Sequence, residues 1–385
     1  MCQNINYKKC FISIICIAVI YILYYLEWSD LGSRKNDKFI HGSEFKNSKK
    51  QILVWTTFFG SDDLTNLQCK SLNCIVTNNK SLLSTSDAVI FHFSDINLTN
   101  MPNRTFPTQK FIYFTMEAPF STSYYSTPKD YFNWLMSYNR KSDILFQYGS
   151  RWINVGNRNN TNTTHRLDNN YKNILSSKKY KGIIGFISNC ETNSGREQVI
   201  GKLSKYIKID IYGKCSNDSV KKVSCPSNDK ECEKDLINSY YFYIAIENAL
   251  CNDYVTEKYW SRYMYNSVPI VMRRDIYTNI GIPNTSLIAI SDYQTSKDMV
   301  VHLNDLMNNS KKYLKYFEYR NNNNITVMNW DQFNLQNGIC ALCDKLNDYR
   351  SILSQERIYD VSKLYTTINN CTNAKNAINF VKDWK

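Results

Sequence analysis

Nine short apolar runs, rich in β-branched and aromatic residues and separated by polar or helix-patterned stretches, constrain this chain more than any other feature. Runs of this kind read as buried strands, and their alternation with helices reads as an α/β protein with parallel sheets. The first group is QILVWTTFF (51–59), DAVIFHF (87–93), KFIYFTME (110–117) and DILFQYG (143–149). The second is GIIGFIS (182–188), KIDIYG (208–213), YFYIAIE (241–247), VPIVM (268–272) and LIAI (287–290). Helical faces lie between them, one of Val199, Ile200, Leu203 and Ile207 and another of Met299, Val300, Leu303, Leu306 and Met307. Residues 154–170 are almost free of apolar side chains and mark a domain boundary. At 385 residues the chain is too long for one unit of usual size. The expected architecture is two Rossmann-like domains facing a cleft, over 51–170 and 171–345, with a C-terminal extension over 346–385.

Residues 10–28, CFISIICIAVIYILYYLEW, hold a single acid, Glu27, and have the length of a membrane-spanning helix. Lys8 and Lys9 precede the stretch and favour a cytoplasmic tail over 1–9. A cleaved signal peptide is the alternative, although no A-x-A pattern follows. Residues 29–50 are polar and aperiodic, as in a flexible stem, which puts everything beyond them on the luminal or extracellular side. Of thirteen cysteines, Cys2, Cys10 and Cys16 fall in the tail and span. The ten that remain form an even set, consistent with disulfides in an oxidising compartment. Ten N-x-S/T sequons lie beyond the stem, at Asn79, Asn97, Asn103, Asn159, Asn162, Asn217, Asn284, Asn308, Asn324 and Asn370. In so Asn-rich a chain, only some are expected to carry glycan.

The net charge of +13 fits an anionic partner: a nucleotide, a phosphorylated substrate, a membrane surface or nucleic acid. With 12 glycines, about half the ~7% usual in proteins, and no GxGxxG or GxxxxGK[ST] string, a phosphate would be held by side chains and helix ends. Ligands of parallel sheets bind beyond the carboxyl ends of strands, which directs attention to the polar residues there. Glu117 in YFTMEAP either points into the cleft or caps the next helix. Arg196, in the helix start after GIIGFISNCETNSG, is either a phosphate ligand or a solvated surface arginine. In YFYIAIENALCNDYVTEKYW, Glu247 and Asn248 close a strand, Asp253 and Thr256 can cap the next helix, and Glu257 and Lys258 occupy its first turn. Arg196 and Lys258 together could clamp a pyrophosphate. His92 and Trp55, near strand ends, either touch a ligand or pack in the core. No D-x-D string, a carboxylate pair that could hold a divalent ion, occurs in the chain.

FYIAIENALCNDYVTEKYW followed by VPIV closely resembles the donor-binding motif of the Golgi α1,3-fucosyltransferases, whose usual form is close to FYLAFENS-C-DYITEKF. The resemblance extends to FNWLMSY with the SDI that follows, to FISNCETNSGR, LSKYIKIDIYGKC and CALC (340–343), and covers most of residues 51–345. Cys190, Cys215, Cys225, Cys232 and Cys251 look most like the invertebrate and plant branch. The resemblance implies a two-domain GT-B fold, with 51–170 as the acceptor-side domain and 171–345 as the GDP-fucose-binding domain, GDP-fucose as donor, and inversion at the anomeric carbon to give an α1,3 link to N-acetylglucosamine. Glu117 would be the general base, although Ala118 stands where Ser is common. Arg196 would hold pyrophosphate, and Asn248, Tyr254, Glu257 and Lys258 match donor-binding positions, with Glu257 on the ribose and Lys258 on the phosphates. CALC alone could be half a zinc site, a redox pair or disulfides; the resemblance implies bridges from Cys340 and Cys343 back to Cys69 and Cys74. Arg273 and Arg274 depart from the Gly many relatives have there.

The expected protein is thus a single-pass type II Golgi membrane enzyme, anchored by residues 10–28 with a luminal catalytic domain. It acts on terminal or core N-acetylglucosamine of glycans, with no required cofactor, no metal site, divalent ions at most stimulatory, and no nucleic-acid partner. The acceptor is open between the N-glycan core and antennal N-acetyllactosamine or its GalNAc analogue. The alternative is a catalytically silent glycan- or nucleotide-binding membrane protein on the same fold.

Overall fold

The apolar runs form strands in two parallel sheets. The structure, a computed structural model, describes residues 49–62, 64, 69, 73–122, 127–153, 171–321, 325–328, 332–372 and 384. The stretch over 10–28, the expected stem up to residue 48 and the insert over 154–170 lie outside the described residues, while Lys50, the last residue of the expected stem, is the first of a strand; among the described residues no helix is long and apolar enough to cross a membrane. The first sheet contains β1 (Lys50–Val54), β2 (Cys74–Thr77), β3 (Ala88–His92), β4 (Lys110–Thr115), β5 (Trp134–Ser137) and β6 (Ile144–Leu145), in the order β2-β1-β3-β4-β5-β6. The second contains β8 (Tyr180–Phe186), β9 (Ile209–Tyr212), β10 (Tyr240–Ile244), β11 (Val268–Val271) and β12 (Ile288–Ala289), in the order β12-β11-β10-β8-β9. Between the sheets in sequence, β7 (Ser150–Ile153) pairs antiparallel with β13 (Ile325–Met328), a ribbon that the alternation pattern does not predict.

The central strands β3 and β4 are buried along their whole length, as expected of parallel strands covered on both faces. Both helical faces read from the sequence pack inward: Val199 and Leu203 are buried in one helix, and Met299, Val300, Leu303, Leu306 and Met307 in the other. Counted from its own first strand, each sheet has the order second, first, third, then outward. Each therefore has one topological switch point, between β1 and β3 and between β8 and β10.

The chain returns to the first sheet after the second is complete. The helix Gln332–Asn347 packs against β6 and β1, and its cysteines bridge Cys69–Cys340 and Cys74–Cys343. The pairing implied by the resemblance is present, while a boundary at residue 345 falls inside this helix. A later helix, Val361–Asn369, packs on the four-residue helix Pro119–Thr122 of the first half. Just beyond it, Cys371 is bonded to Cys251 of the second half. Asn139 donates to Asn252 O and to Asn369 Oδ1, and Arg140 pairs with Asp253, so a loop of the first half joins both segments. Cys190–Cys215 and Cys225–Cys232 complete five disulfides among the described residues. The seven sequon asparagines that are described, Asn79, Asn97, Asn103, Asn217, Asn284, Asn308 and Asn370, are all exposed.

The halves also pack closely at Gly149, where an added Cβ would lie 2.4 Å from Trp260 Cγ. Gly149→Ala is expected to cost about 1–3 kcal/mol through overpacking, seen as a lower melting temperature. An unchanged melt would show that the two halves do not meet there.

Candidate functional site

The switch point between β8 and β10 gathers most of the residues singled out in the sequence. Beyond β8, Cys190–Cys215 ties the loop to the segment after β9, and the chain enters helix Arg196–Leu203 through Gly195 at φ 66°, a left-handed conformation that favours glycine. Arg196 is 4% exposed, so it is not the solvated surface arginine. Its Nη1 donates to Ile246 O at 3.0 Å and its Nη2 to Asn189 O at 2.8 Å, stitching the loop after β8 to the loop after β10. Its Nε is buried without a partner among the described residues. Ser194 reinforces the seam, donating from its amide to Asn248 O and from its hydroxyl to Glu247 O.

Beyond β10, Glu247 is the hinge of the arrangement. Its buried carboxylate accepts from Thr256 N at 2.8 Å and from Thr256 Oγ1, and Lys258 Nζ lies 3.3 Å from Oε2. Thr256 is the N-cap of helix Glu257–Trp260 and accepts from Lys258 N. Lys258 Nζ also donates to Glu257 Oε1 and Thr256 Oγ1, each at 3.0 Å. The cation in a first helical turn thus has two carboxylate neighbours, which explains its position without any bound anion. Asp253, read as a possible cap, instead has φ 62° and accepts from Arg140 of the first half.

Glu117 reaches this cluster from the other sheet. It follows β4, its carbonyl accepts from Tyr365 Oη, and its carboxyl is hydrogen-bonded by Tyr254. Its pKa is raised by burial first and by the charges of Glu257 and Glu247, against the opposing Lys258 and the Tyr254 hydrogen bond. Those charged neighbours belong to the second half. Tyr254 is buried and packs between the halves, tilted 4.9 Å from the ring of Tyr138 and edge-on 6.2 Å from that of Tyr148. Burial and the neighbouring carboxylates push its pKa well up, so it stays a neutral donor. Burial and Glu257 likewise raise Glu247 despite Lys258. Burial lowers Lys258, but Glu247 and Glu257 outweigh it and the net shift is upward.

Glu117, Arg196, Asn248, Tyr254, Glu257 and Lys258 therefore come together at one place, with contributions from both sheets. Sequence reasoning left Glu247, Tyr365, Tyr138 and Tyr148 out of this group. Glu247 stood beside Asn248 in the quoted motif, so the signal was present; Tyr365 is positioned by a C-terminal helix that no local pattern places there. His92 packs in the core: it is 0% exposed, with Nδ1 2.6 Å from Asp95 and its ring against Phe58, Phe59, Phe93 and Phe114. Arg273 and Arg274 are paired locally with Asp275 and Asp292. Among the described residues no three His, Cys, Asp or Glu side chains converge as metal ligands would.

Residues 47–149 match the family model for the fucosyltransferase N-terminal region, and residues 176–364 match that for the C-terminal region of glycosyltransferase family 10 (fucosyltransferase). The alpha-(1,3)-fucosyltransferase fut-5 of Caenorhabditis elegans is 32% identical over 308 residues, 78% of this chain and 77% of that protein. This chain belongs to the glycosyltransferase family 10 fucosyltransferases. Another family member, fut-1 of the same nematode, is 32% identical over 299 residues, and the match spans 77% of this chain but only 65% of that longer relative. The human 4-galactosyl-N-acetylglucosaminide 3-alpha-L-fucosyltransferase 9 is 30% identical over 344 residues, 86% of each chain. A solved α1,3-fucosyltransferase with GDP-fucose superposes at a TM-score of 0.45 and 13% identity, over 81% of this chain and 92% of the other.

Proposed function

We propose that this chain transfers L-fucose from GDP-fucose to the 3-hydroxyl of N-acetylglucosamine in glycoprotein glycans, with inversion, on a GT-B fold. The observation that carries the reading is the approach of the Glu117 segment of the first sheet to Tyr254 of the second, through Tyr148, which donates to Met116 O at 2.7 Å and packs 6.2 Å from the Tyr254 ring, with Glu257 and Lys258 paired close by, in a family 10 chain. An inverting transfer needs a base on one side of the sugar and cations on the other. Glu117 takes the proton of the acceptor hydroxyl, whose oxygen bonds to the anomeric carbon as the bond to GDP breaks and its electron pair leaves with the β-phosphate. A positioned base of this type contributes ~10²- to 10⁴-fold. The transition state is oxocarbenium-like on the sugar and increasingly negative on the leaving pyrophosphate. Lys258 and Arg196 answer the second charge, Lys258 exchanging Glu257 for phosphate as Glu257 turns to the ribose, with Asn248 beside them.

The same reading makes the protein a type II Golgi membrane enzyme anchored by residues 10–28, with no required cofactor and no nucleic-acid partner. The test is incubation of the full-length chain, in membranes or detergent, with GDP-fucose and a panel of N-glycan core and antennal acceptors, with the product linkage mapped. The expected product is an α1,3-fucosylated N-acetylglucosamine. Binding of GDP-fucose with no transfer to any acceptor would overturn the enzymatic reading in favour of a silent binding protein. In the same assay, excess chelator is expected to leave at least roughly half of the rate, because protein cations already meet the leaving charge; loss of nearly all of it would overturn the cofactor-free mechanism.

A further inference from the structure

Residues 354–372 run back along the first sheet, from the amino ends of β4 and β5 to their carboxyl ends, and then cross to the second half. Lys110 Nζ, at the start of β4, donates to Ser354 O, Asn133 Nδ2, just before β5, donates to Glu356 O at 2.9 Å, and Phe132 bridges Ile358. Helix Val361–Asn369 passes Glu117 at the other end of β4. Beyond it Cys371 is bonded to Cys251, and Thr372 N donates to Leu250 O at 2.8 Å. We propose that Tyr365 of this strap is a positioning residue for fucose transfer, holding the Glu117 peptide so that the carboxylate meets the acceptor hydroxyl. The inference rests on the transferase reading above and adds a residue to it.

Glu117 needs an outside hold because no regular element supplies one. Strand β4 ends at Thr115, the next helix starts at Pro119 with only four residues, and residues 116–118 belong to neither. Two buried tyrosines hold this stretch instead, Tyr148 Oη donating to Met116 O at 2.7 Å and Tyr365 Oη to Glu117 O at 2.6 Å. Thr115 Oγ1 is a weaker partner, accepting from Glu117 N at 3.2 Å and lying 3.5 Å from Glu117 O. Tyr365 is 1% exposed, so water does not compete for its bond. Without that hydroxyl, Glu117 O keeps only the long contact and the peptide is free to turn, carrying the side chain with it. A displacement of ~1 Å at a reacting group can cost ~10²-fold in rate.

Tyr365 is itself fixed from both halves. Its ring packs edge-on to Tyr138 at 6.2 Å, and Tyr138 lies 4.9 Å from Tyr254 of the second half. The disulfide closes the same circuit from the other side, because Cys251 stands three residues before Tyr254 and Cys371 six beyond Tyr365. Asn369, 0% exposed, adds a bond from Asn252 N to its carbonyl at 2.8 Å. Apolar packing alone would seat the helix, with Val361 and the Tyr365 ring both buried. The hydroxyl adds a bond that packing does not need, and that bond ends on Glu117.

The experiment compares Tyr365→Phe with the unsubstituted full-length chain, below the melting temperature of both, on the acceptor that the unsubstituted chain uses best. Rates are expressed per GDP-binding site, so that a loss of folded protein does not register as a loss of catalysis. For Tyr365→Phe, kcat is expected to fall about tenfold or more, the effect of a displaced base, while KM for GDP-fucose stays within twofold. In the Glu117→Gln background the same substitution should change the residual rate by less than twofold, because a hydroxyl that acts through the carboxylate has nothing left to aim. Cys371→Ser opens the latch without touching Tyr365 and should give the same split between kcat and KM with a smaller loss. A kcat within twofold in Tyr365→Phe, whatever its melt, would overturn the role. So would a raised KM for GDP-fucose with kcat kept, or an undiminished loss in the Glu117→Gln background. If Tyr365→Phe yields no GDP-binding protein, Cys371→Ser decides, and an unchanged kcat there overturns the role. Absence of transfer by the unsubstituted chain would instead overturn the transferase reading and the positioning role with it, an outcome distinct from an active chain indifferent to Tyr365→Phe.

Discussion

Lys258→Ala is expected to lower kcat/KM for fucose transfer by at least ~10²-fold, the usual cost of removing one group aimed at developing negative charge. The same substitution should destabilise the fold, an effect that a purely ligand-binding lysine would not have. Glu247 is 3% exposed and its ionised form relies on Lys258 Nζ at 3.3 Å. Without the lysine, that carboxylate keeps its hydrogen bonds from Thr256 but loses its cation. Breaking a buried pair costs ~3–5 kcal/mol, and since Lys258 is about one-fifth exposed, we expect about 2–3 kcal/mol here. The double variant Glu247→Gln with Lys258→Met removes both charges and should recover part of the melting temperature without recovering transfer. A single variant with near-normal turnover would end the pyrophosphate role of Lys258. A single variant with reduced turnover but an unchanged melt would leave that role standing and remove the structural one.

The paired role of Lys258 shows where the sequence was readable. Strand identity was legible because runs such as VIFHF and FIYF are β-branched or aromatic, and the structure buries them on both faces. Strand ends were less so. QILVWTTFF reads as one strand, but β1 stops at Val54, because its pairing with β3 ends there and Phe58–Ser61 forms a local bridge with Phe59 at positive φ. The motif around Glu257 placed its site residues in order, and folding brings them within each other's electrostatic reach. What the motif could not give is direction: the buried partner of Lys258, beside the adjacent Glu257, is a glutamate eleven positions earlier, facing it only once the loop after β10 folds back over Thr256. Likewise His92 sits at a strand end, as a ligand contact would, yet aromatic rings from β1, β3 and β4 segments enclose it. Tyr365 touches Glu117 O across a separation of 248 residues, a contact with no local signature.

Glu117→Gln is the substitution that separates catalysis from folding. If Glu117 is the base, transfer should fall ~10²- to 10⁴-fold while GDP-fucose binding is kept. The raised pKa fixes the sign of the stability change. A group whose pKa is higher folded than unfolded favours folding below the unfolded value, and that contribution is lost as pH rises through the folded value. At neutral pH the ionised Glu117 is therefore a burden on the fold, set mainly by burial and then by Glu257 and Glu247. Glutamine keeps the shape and removes the charge, so Glu117→Gln should melt at or above the unsubstituted chain at pH 7. The advantage should shrink as pH falls toward ~4.3, the ordinary glutamate value. In the unsubstituted chain the acidic limb of kcat/KM, which reports the free enzyme, should lie above that same value. A variant that is both inactive and less stable at pH 7 would mean that Glu117 holds the two halves together as a charged anchor, and the base would have to be sought elsewhere.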